Sequence, residues 1–281
     1  MSRRPIFLLV LALASAGAAC AVWLVAFAVP GGRALDAGAM QSFTGVARPP
    51  LEPSIRGVAV LADPAPFLVC AAAVILVALL RRRWLMAAVV PAVLLGANVA
   101  TQVLKPALAD PRALHLRGVE MLYPGSWPSG HSTASMSLAL CLVLVVGPRL
   151  RPLAAVAGAA YAIGVGYALV ALGWHLPSDV VGGYLVAATF TLLGAAGLAA
   201  LEARAPVRPD HRADGARSLV PVPAIAVGVI AALALAGAAV VAYAPGMTLS
   251  ALGHPAGIAA GAGIAAFGLA LTAGLAAALR R

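Results

Sequence analysis

Residues 84–104 read WLMAAVVPAVLLGANVATQVL and contain no charged side chain. An α-helix of about 20 apolar residues is long enough to cross the ~30 Å hydrocarbon core of a bilayer. Three arginines at 81–83 precede the stretch and Lys105 follows it, which is the pattern of a transmembrane helix with charged ends. This segment therefore predicts an integral membrane protein.

Seven further apolar stretches follow the same pattern. They are rich in Ala, Gly, Leu and Val, and small residues let membrane helices pack closely. We therefore predict an all-α, polytopic transmembrane helical bundle with about eight spans. The other seven predicted spans cover about residues 5–30, 66–80, 131–147, 152–173, 179–201, 220–244 and 255–279.

The composition excludes two other classes of protein. The 281 residues are 63% hydrophobic and only 10% charged, whereas soluble globular chains have about 25% charged residues. The net charge of +10 comes from short arginine clusters between apolar runs, which favours membrane topology over nucleic-acid binding. The cysteines Cys20, Cys70 and Cys141 lie inside apolar runs without metal-ligand spacing, so we assign them no function.

The basic residues also predict the orientation of the bundle. With eight spans, thirteen arginines lie on the side of both termini and six basic residues lie on the other side. The positive-inside rule therefore predicts a multi-pass cell-membrane protein with cytoplasmic termini. The first apolar run continues to Pro30, which favours an uncleaved anchor over a secretory signal. The predicted outer segments are 31–65, 105–130, 174–178 and 245–254.

A polar, arginine-rich stretch divides the chain into two parts. Residues 202–219 include EARAPVRPDHRADGARS, which is typical of a flexible cytoplasmic linker. We predict a six-span core at 1–201 before it and a two-span hairpin at 220–281 after it. All of the candidate catalytic groups lie in the outer segments of the six-span core or at the first residue of the span that follows.

Three outer segments carry polar groups that lipid-embedded helices seldom hold without a function. In the third, Gly173 to Asp179, His175 and Asp179 are four residues apart across a predicted helix start, with Ser178 as the predicted N-cap and Pro177 before it. A carboxylate in that position accepts a hydrogen bond from one ring nitrogen and leaves the other as a nucleophile.

The other two segments supply groups that bind anions. In the second, Trp127-Pro-Ser-Gly-His-Ser, residues Ser129, Gly130 and His131 lie at the N-terminal end of a predicted span, where unpaired amides and the helix dipole favour an anion. The first, at 105–112, contributes two cations, Lys105 and Arg112. Two histidines, a carboxylate, an amide nest and two cations suit phosphoryl transfer without a metal.

The three segments resemble the three motifs of the type 2 phosphatidic acid phosphatase (PAP2) superfamily. The family pattern is Lys, six residues, Arg-Pro; then Pro-Ser-Gly-His; then Ser-Arg, five residues, His, three residues, Asp. Lys105 and Arg112 match the first motif with its spacing, residues 128–131 match the second, and His175 and Asp179 match the third. The resemblance covers the six-span core.

This resemblance implies a role for each matched residue. His175 would attack phosphorus while Asp179 orients it, and His131 would protonate the leaving oxygen. The remaining four, Lys105, Arg112, Ser129 and the amide of Gly130, would hold the phosphate oxygens. The resemblance implies no cofactor and no metal.

Two departures from the family pattern bear on these roles. Ala113 replaces the proline after Arg112, which we expect to matter little because that proline contributes no contact group. Ala168 and Leu169 replace the Ser-Arg pair of the third motif, and in the family that arginine binds phosphate. Arg117, in the same outer loop as Arg112, is a candidate substitute.

The sequence thus predicts a membrane phosphatase with its active site outside the cytoplasm. Polyprenyl (pyro)phosphate, phosphatidic acid and phosphorylated polyprenyl sugars are the substrates that we expect, because the membrane selects a lipid anchor. Because that arginine is missing, a non-hydrolytic lipid-phosphate binder or transporter is an alternative function. A lipid-linked phosphotransferase is another, since it would use the same residues. The only partners predicted are a lipid phosphate and membrane lipid, with no nucleic acid, and the oligomeric state is left open.

Overall fold

The computed structural model describes residues 3–44, 51–109, 125–204 and 255–280. Within these ranges the chain is helical and has no strand, so the predicted all-α class is confirmed. A 3₁₀ turn, Val60–Ala62, lies between the third and fourth helices. The α-helices are α1 (Arg3–Phe27), α2 (Gly32–Thr44), α3 (Glu52–Ala59), α4 (Pro64–Leu80), α5 (Trp84–Ala107), α6 (Gly130–Val145), α7 (Arg151–Ala171), α8 (Pro177–Arg204) and α9 (Pro255–Ala278).

Five of these helices, α1, α5, α7, α8 and α9, are long and apolar enough to cross a membrane. Helices α3 and α4, with the 3₁₀ turn between them, form a pair bent by 52° that makes a sixth span if it is counted as one. The predicted fourth span corresponds to α6, which is shorter, with 16 residues. The predicted span at 220–244 lies outside the described residues, so the total of eight is not confirmed.

The segment at 31–65, predicted to lie outside, is largely helical in its described part, which the sequence analysis did not predict. Helix α3 is amphipathic, with Ile55 and Val58 buried and Arg56 exposed. The chain bends at Asp63, which is extended, because Pro64 has no N–H to continue a helix and disfavours helical backbone in the residue before it. This bend places Asp63 at the N-terminal end of α4.

Helix α6 is the centre of the bundle. Every residue from Ser132 to Val145 is buried, as expected of a helix that is apolar or small on all sides. Helices α7, α8 and α5 pack around it. Gly158 of α7 permits a close approach, because a Cβ there would lie only 2.8 Å from the Cβ of Ala139. The site residues at the start of α6 are therefore carried by the most enclosed helix.

Helix α1 lies at the edge of the bundle and packs along α8. The hydroxyl of Ser15 donates a hydrogen bond to the carbonyl oxygen of Leu185 at 3.0 Å. Elsewhere α1 exposes Leu9, Val10 and Leu13, as expected of side chains that face lipid.

Helix α9, from the predicted C-terminal hairpin, packs against α7, α8 and α2. The hydroxyl of Tyr167 donates a hydrogen bond to the carbonyl oxygen of Gly261 at 2.7 Å, and the ring of Tyr167 also contacts Phe43 of α2. This helix is therefore part of the bundle. The domain boundaries at 201 and 220 stay a prediction.

Candidate active site

Helix α7 ends in a turn that positions His175. Gly173 has φ +69° and donates a hydrogen bond to the carbonyl oxygen of Val170. The N–H of Trp174 donates to the carbonyl oxygen of Leu169 at 3.0 Å. Together these bonds form a Schellman turn, and only glycine adopts its positive φ without steric cost. The chain reverses here and delivers His175 to the start of α8.

Asp179 holds the imidazole of His175 from the first turn of α8. Its Oδ2 accepts a hydrogen bond from the N–H of Leu176 at 3.0 Å and lies 3.3 Å from Nδ1 of His175. The contact with Leu176 is that of a capping box, so the backbone fixes the carboxylate. The Asp179 side chain is fully buried and that of His175 is 12% exposed. Because Nδ1 faces the carboxylate, Nε2 is the nitrogen left to react.

The predicted role of Ser178 as N-cap is wrong. Helix α8 begins at Pro177, so Leu176 occupies the cap position. Ser178 instead donates its N–H to Oδ1 of Asp36 at 3.0 Å and its hydroxyl to Oδ2 at 2.5 Å. Asp36 belongs to α2, and a carboxylate is favourable at the positive end of the α8 dipole. This contact ties α2 to the turn that carries His175.

The start of α6 is capped by Ser129, whose Oγ accepts a hydrogen bond from the N–H of Ser132 at 3.3 Å. The N–H of Ser129 donates to the carbonyl oxygen of Asp179 at 2.9 Å, so the starts of α6 and α8 are joined directly. The first-turn amides of Gly130 and His131 have no hydrogen bond to backbone in the described part of the chain. They remain available to an anion, as amides at helix N-termini commonly are.

Lys105 lies beside these amides. It belongs to the last turn of α5, and its Nζ lies 3.7 Å from the position that a Cβ of residue 130 would take. The amide nitrogen of Gln102 lies 3.8 Å from the same point. Because Gly130 has no side chain, the ammonium and the amides border one space. A phosphate there would receive charge-assisted hydrogen bonds from both.

His131 pairs with Asp63, a residue that the sequence analysis did not select. Nε2 of His131 lies 2.8 Å from Oδ1 of Asp63, and the two side chains are 29% and 43% exposed. Asp63 comes from the bend before α4, and that bend is anchored by Tyr161, whose hydroxyl donates to the carbonyl oxygen of Leu61 at 3.0 Å. The site thus contains two histidine–aspartate pairs.

The two pairs lie close enough to interact. His131 is within electrostatic range of His175 and of Lys105, and Lys105 is within range of Asp179. The ring of Trp174 lies 6.1 Å from the ring of His131. The guanidinium of Arg56, from α3, lies 5.4 Å from the centre of the Trp174 ring.

The structure brings together all of the predicted site residues that it describes. Arg112 and Arg117 lie outside the described residues, so their roles stay predictions. Leu169, at the position of the family arginine, is fully buried in the core of α7. The six that meet at this end of the bundle are Lys105, Ser129, Gly130, His131, His175 and Asp179.

Sequence reasoning missed Asp63, Asp36 and Arg56. The dipeptide Asp63-Pro64 before an apolar run is a helix-start signal, and it could have placed Asp63 at the outer end of the second span. No local pattern links it to His131, 68 residues away. In the described ranges, no group of three or more His, Cys, Asp or Glu side chains is arranged to hold a metal ion.

Comparison with known proteins supports the family resemblance. Residues 86–201 match the family model of the PAP2 superfamily, so the resemblance carried by the motifs is confirmed. The fold is similar to the crystal structure of a transmembrane PAP2-type phosphatidylglycerolphosphate phosphatase from Bacillus subtilis. The TM-score is 0.53 at 20% sequence identity, over 74% of this chain and 100% of that chain. No curated protein sequence matches the chain. The family match supports a membrane phosphatase.

Proposed function

We propose that the protein is an integral membrane phosphatase that hydrolyses a lipid phosphate or diphosphate through a phosphohistidine intermediate. The observation that carries this proposal is the meeting of His175, His131 and Lys105, from three separate helix ends, at the start of α6. A nucleophile, an acid and a fixed cation beside free amides are the groups that phosphoryl transfer needs. The family match is consistent with this chemistry.

In the first step Nε2 of His175 attacks phosphorus as the bond between phosphorus and the leaving oxygen breaks. Asp179 keeps Nδ1 of that ring oriented. His131, protonated at the outset, transfers its proton to the leaving oxygen, so the lipid departs as a neutral alcohol or as a monophosphate. Lys105 and the amides at Gly130 and His131 stabilise the charge on the other phosphate oxygens.

In the second step water hydrolyses the phosphohistidine. Its oxygen bonds to phosphorus, the phosphorus–nitrogen bond breaks, and His131 accepts the proton that water loses. Inorganic phosphate leaves and both imidazoles regain their starting states. We assign Arg112 as a second phosphate-binding cation. Ser129 is a phosphate contact by its motif, and in the structure its hydroxyl caps α6.

The expected substrates are lipids with a terminal phosphate. Polyprenyl (pyro)phosphate, phosphatidic acid and phosphorylated polyprenyl sugars fit the membrane setting, and the phosphatase from Bacillus subtilis adds phosphatidylglycerolphosphate as a candidate. The basic residues favour an extracytoplasmic site with both termini in the cytoplasm. The non-hydrolytic binder stays the second candidate, because fully buried Leu169 replaces a phosphate-binding arginine.

The decisive experiment assays phosphate release from this panel of lipids by the detergent-solubilised protein with EDTA present. We expect turnover that EDTA does not abolish, and an enzyme-bound phosphate that is labile to acid and stable to alkali. His175→Gln should carry no such label. His131→Gln should accumulate it from an aryl phosphate, because the second step lacks its base. Lipid binding without phosphate release in every arm would favour the binder.

A further inference from the structure

Asp63 makes an unusual contact for a residue at a helix start. An aspartate at this position ordinarily accepts hydrogen bonds from the first amides of its own helix. Here the side chain of Asp63 makes no such bond to α4. It lies 2.8 Å from Nε2 of His131 in α6 instead. The carboxylate is therefore used between helices rather than within one.

We propose that Asp63 is a positioning residue for the general acid, an inference that rests on the proposed phosphatase function. With Nε2 held by Asp63, the ring of His131 presents Nδ1 to the leaving oxygen, and the negative charge favours the protonated imidazole. Asp179 holds one ring nitrogen of His175 in the same way, but the other nitrogen of His175 acts as a nucleophile, whereas that of His131 acts as an acid. One pair delivers a nucleophilic nitrogen and the other delivers a proton.

The charges around His131 account for the need for this carboxylate. Burial disfavours the charged imidazole of His131 most strongly, and Lys105 and His175, the other titratable groups of the described residues within electrostatic range, also disfavour it when they carry a proton. Asp63 is the described acidic group that opposes them there. Because Asp63 would repel a phosphate dianion, it should contribute to kcat and give no gain in substrate binding. A merely structural residue would not separate the two parameters in this way.

The test compares Asp63→Asn with Asp63→Glu on two substrates, a lipid phosphate with an alkoxide leaving group and nitrophenyl phosphate. A positioned acid contributes about 10²- to 10⁴-fold to rate, so Asp63→Asn should lower kcat on the lipid by about 10- to 100-fold with KM unchanged or lower. Nitrophenolate leaves without a proton, so the rate of phosphoenzyme formation from nitrophenyl phosphate, which does not include the second step, should fall by less than about threefold. Asp63→Glu should restore part of the lipid activity.

Glu52→Gln is the matched control, because Glu52 is another outer-segment carboxylate and pairs with Arg56 at 2.9 Å. It should keep wild-type kcat on both substrates. In Asp63→Asn, an equal loss in the rate of phosphoenzyme formation from both substrates, or no loss from either, would overturn the role of Asp63. Full activity in a parallel His175→Ala sample would instead overturn the proposed function, so the two failures are distinguishable.

A separate observation concerns the opposite end of the bundle, where arginines from several helices converge. Arg151, at the start of α7, is within electrostatic range of four others. Its Nη1 donates to the carbonyl oxygen of Leu279 at 3.0 Å. The four come from the start of α1, the turn between α4 and α5, and the end of α9: Arg4, Arg81, Arg83 and Arg280.

The described residues supply little negative charge to this cluster. Glu202 lies 3.9 Å from Arg83 and is half exposed. The Nε atoms of Arg4 and Arg151 are buried and have no hydrogen-bond partner in the described part of the chain. Five guanidinium groups repel one another, and a buried charged donor without an acceptor is costly. An anion between the helices would remove both penalties.

We infer that this cluster binds the phosphate of an anionic phospholipid headgroup. Guanidinium groups match phosphate oxygens with paired hydrogen bonds. Basic pockets between transmembrane helices recognise acidic headgroups on the cytoplasmic side, which is the side that the positive-inside rule assigns to this end. The lipid would brace α1, α4, α7 and α9 at the end of the bundle remote from the site.

The test measures binding of phosphatidylglycerol to the full-length protein in detergent, with phosphatidylcholine and inorganic phosphate as the other two arms. Phosphatidylglycerol should bind at least about tenfold more tightly than either, since several charge-assisted bonds and an apolar anchor act together. Arg151→Gln should weaken its binding by about tenfold. Arg280→Gln tests the same cluster without loss of the bond to Leu279.

Arg149→Gln is the matched control, because it is two residues from Arg151 and is not among the charges near it. It should weaken binding by less than about twofold. Equal losses at positions 149, 151 and 280 would indicate diffuse attraction and overturn the site. Equal affinity for phosphatidylcholine would do the same, and inorganic phosphate binding as tightly as lipid would overturn the headgroup assignment.

Discussion

The two histidine–aspartate pairs are built in different ways. His175 and Asp179 are four residues apart, and a backbone amide fixes the carboxylate, which is fully buried. His131 and Asp63 are 68 residues apart on separate helices, and both are partly exposed. The first pair is thus set by one turn of chain. The second exists only when α4 and α6 are packed together.

This difference suits the two roles that we propose. A nucleophile must meet phosphorus along a fixed line, so a rigid, buried pair is an advantage. The general acid must regain its proton from the attacking water in the second step, so partial exposure, which admits water beside His131, is useful. Exposed ion pairs contribute only about 0–1 kcal/mol to stability. The short contact of Asp63 with His131 therefore depends on the packing around the bend, including the bond from Tyr161 to Leu61.

Breaking the buried pair should have the largest effect. His175→Ala removes the group that forms the covalent intermediate and should lower kcat on every substrate by several orders of magnitude. Asp179→Asn keeps the imidazole but removes the charge that orients it, and the loss should be about 10²- to 10⁴-fold. Both should exceed the loss in Asp63→Asn. The measurement is kcat on one lipid phosphate in one detergent.

The relative size of the kcat losses in Asp179→Asn and Asp63→Asn tests the assignment of nucleophile and acid. A smaller loss in Asp179→Asn than in Asp63→Asn would reverse the assignment of nucleophile and acid. Thermal unfolding of each variant serves as the control. Asp179 accepts a backbone hydrogen bond in a buried position, so part of its loss could come from unfolding.

The contact between α6 and α8 is shared by both pairs, and Gly183 makes it possible. A Cβ at residue 183 would lie 2.6 Å from the carbonyl oxygen of Ser129 and 3.0 Å from the amide nitrogen of Thr133. These are backbone atoms that cannot rotate away, so Gly183→Ala must separate the two helices. We expect a loss of about 1–3 kcal/mol in stability and of about tenfold or more in kcat.

Gly197→Ala is the control, since it lies on the same helix and nothing is within 4 Å of its Cβ position. It should unfold at or above the wild-type temperature, because alanine favours a helix over glycine. If Gly183→Ala had wild-type kcat and stability, the helices would not need this close contact, and the pairs would be independent of it.

The sequence predicted the locally encoded part of the site. Spacing alone relates His175 to Asp179, and a helix start at Ser129 follows from its residue type and the apolar run after it. Long apolar runs likewise predicted most of the helices, because the bilayer demands them. The identities of the neighbours across the bundle were not accessible, since pairing over 68 residues depends on tertiary packing.

Errors in the sequence analysis also have physical causes. Ser178 looked like an N-cap because serine favours that position, but Pro177 already has a helical φ and starts α8 two residues earlier than that cap would. Asp36 then takes the hydroxyl of Ser178. Helices α2 and α3 were not predicted because each is short, and their amphipathic faces pack on the bundle rather than in lipid.

The smallest effect is expected at Arg56, which lies over Trp174 between the two pairs. A partly exposed cation–π contact contributes about 0.5–1 kcal/mol, and the ion pair with Glu52 is also exposed. Arg56→Gln should therefore change kcat/KM by less than about fivefold, mainly through the position of the Trp174 ring. The measurement is kcat/KM on the same lipid phosphate, and the control is Arg33→Gln in α2, on the side predicted to be outer.

The size of the loss in Arg56→Gln also shows whether Arg56 does the work of the arginine that the family has at position 169. A cation that binds the transferred phosphate contributes about 1.5–3 kcal/mol, or about 10- to 100-fold. If Arg56→Gln lost that much while Arg56→Lys kept most of the activity, Arg56 would be a phosphate ligand from α3. The side of the site that holds His131 would then supply a charge as well as a proton, and the missing arginine would be replaced from outside the matched residues.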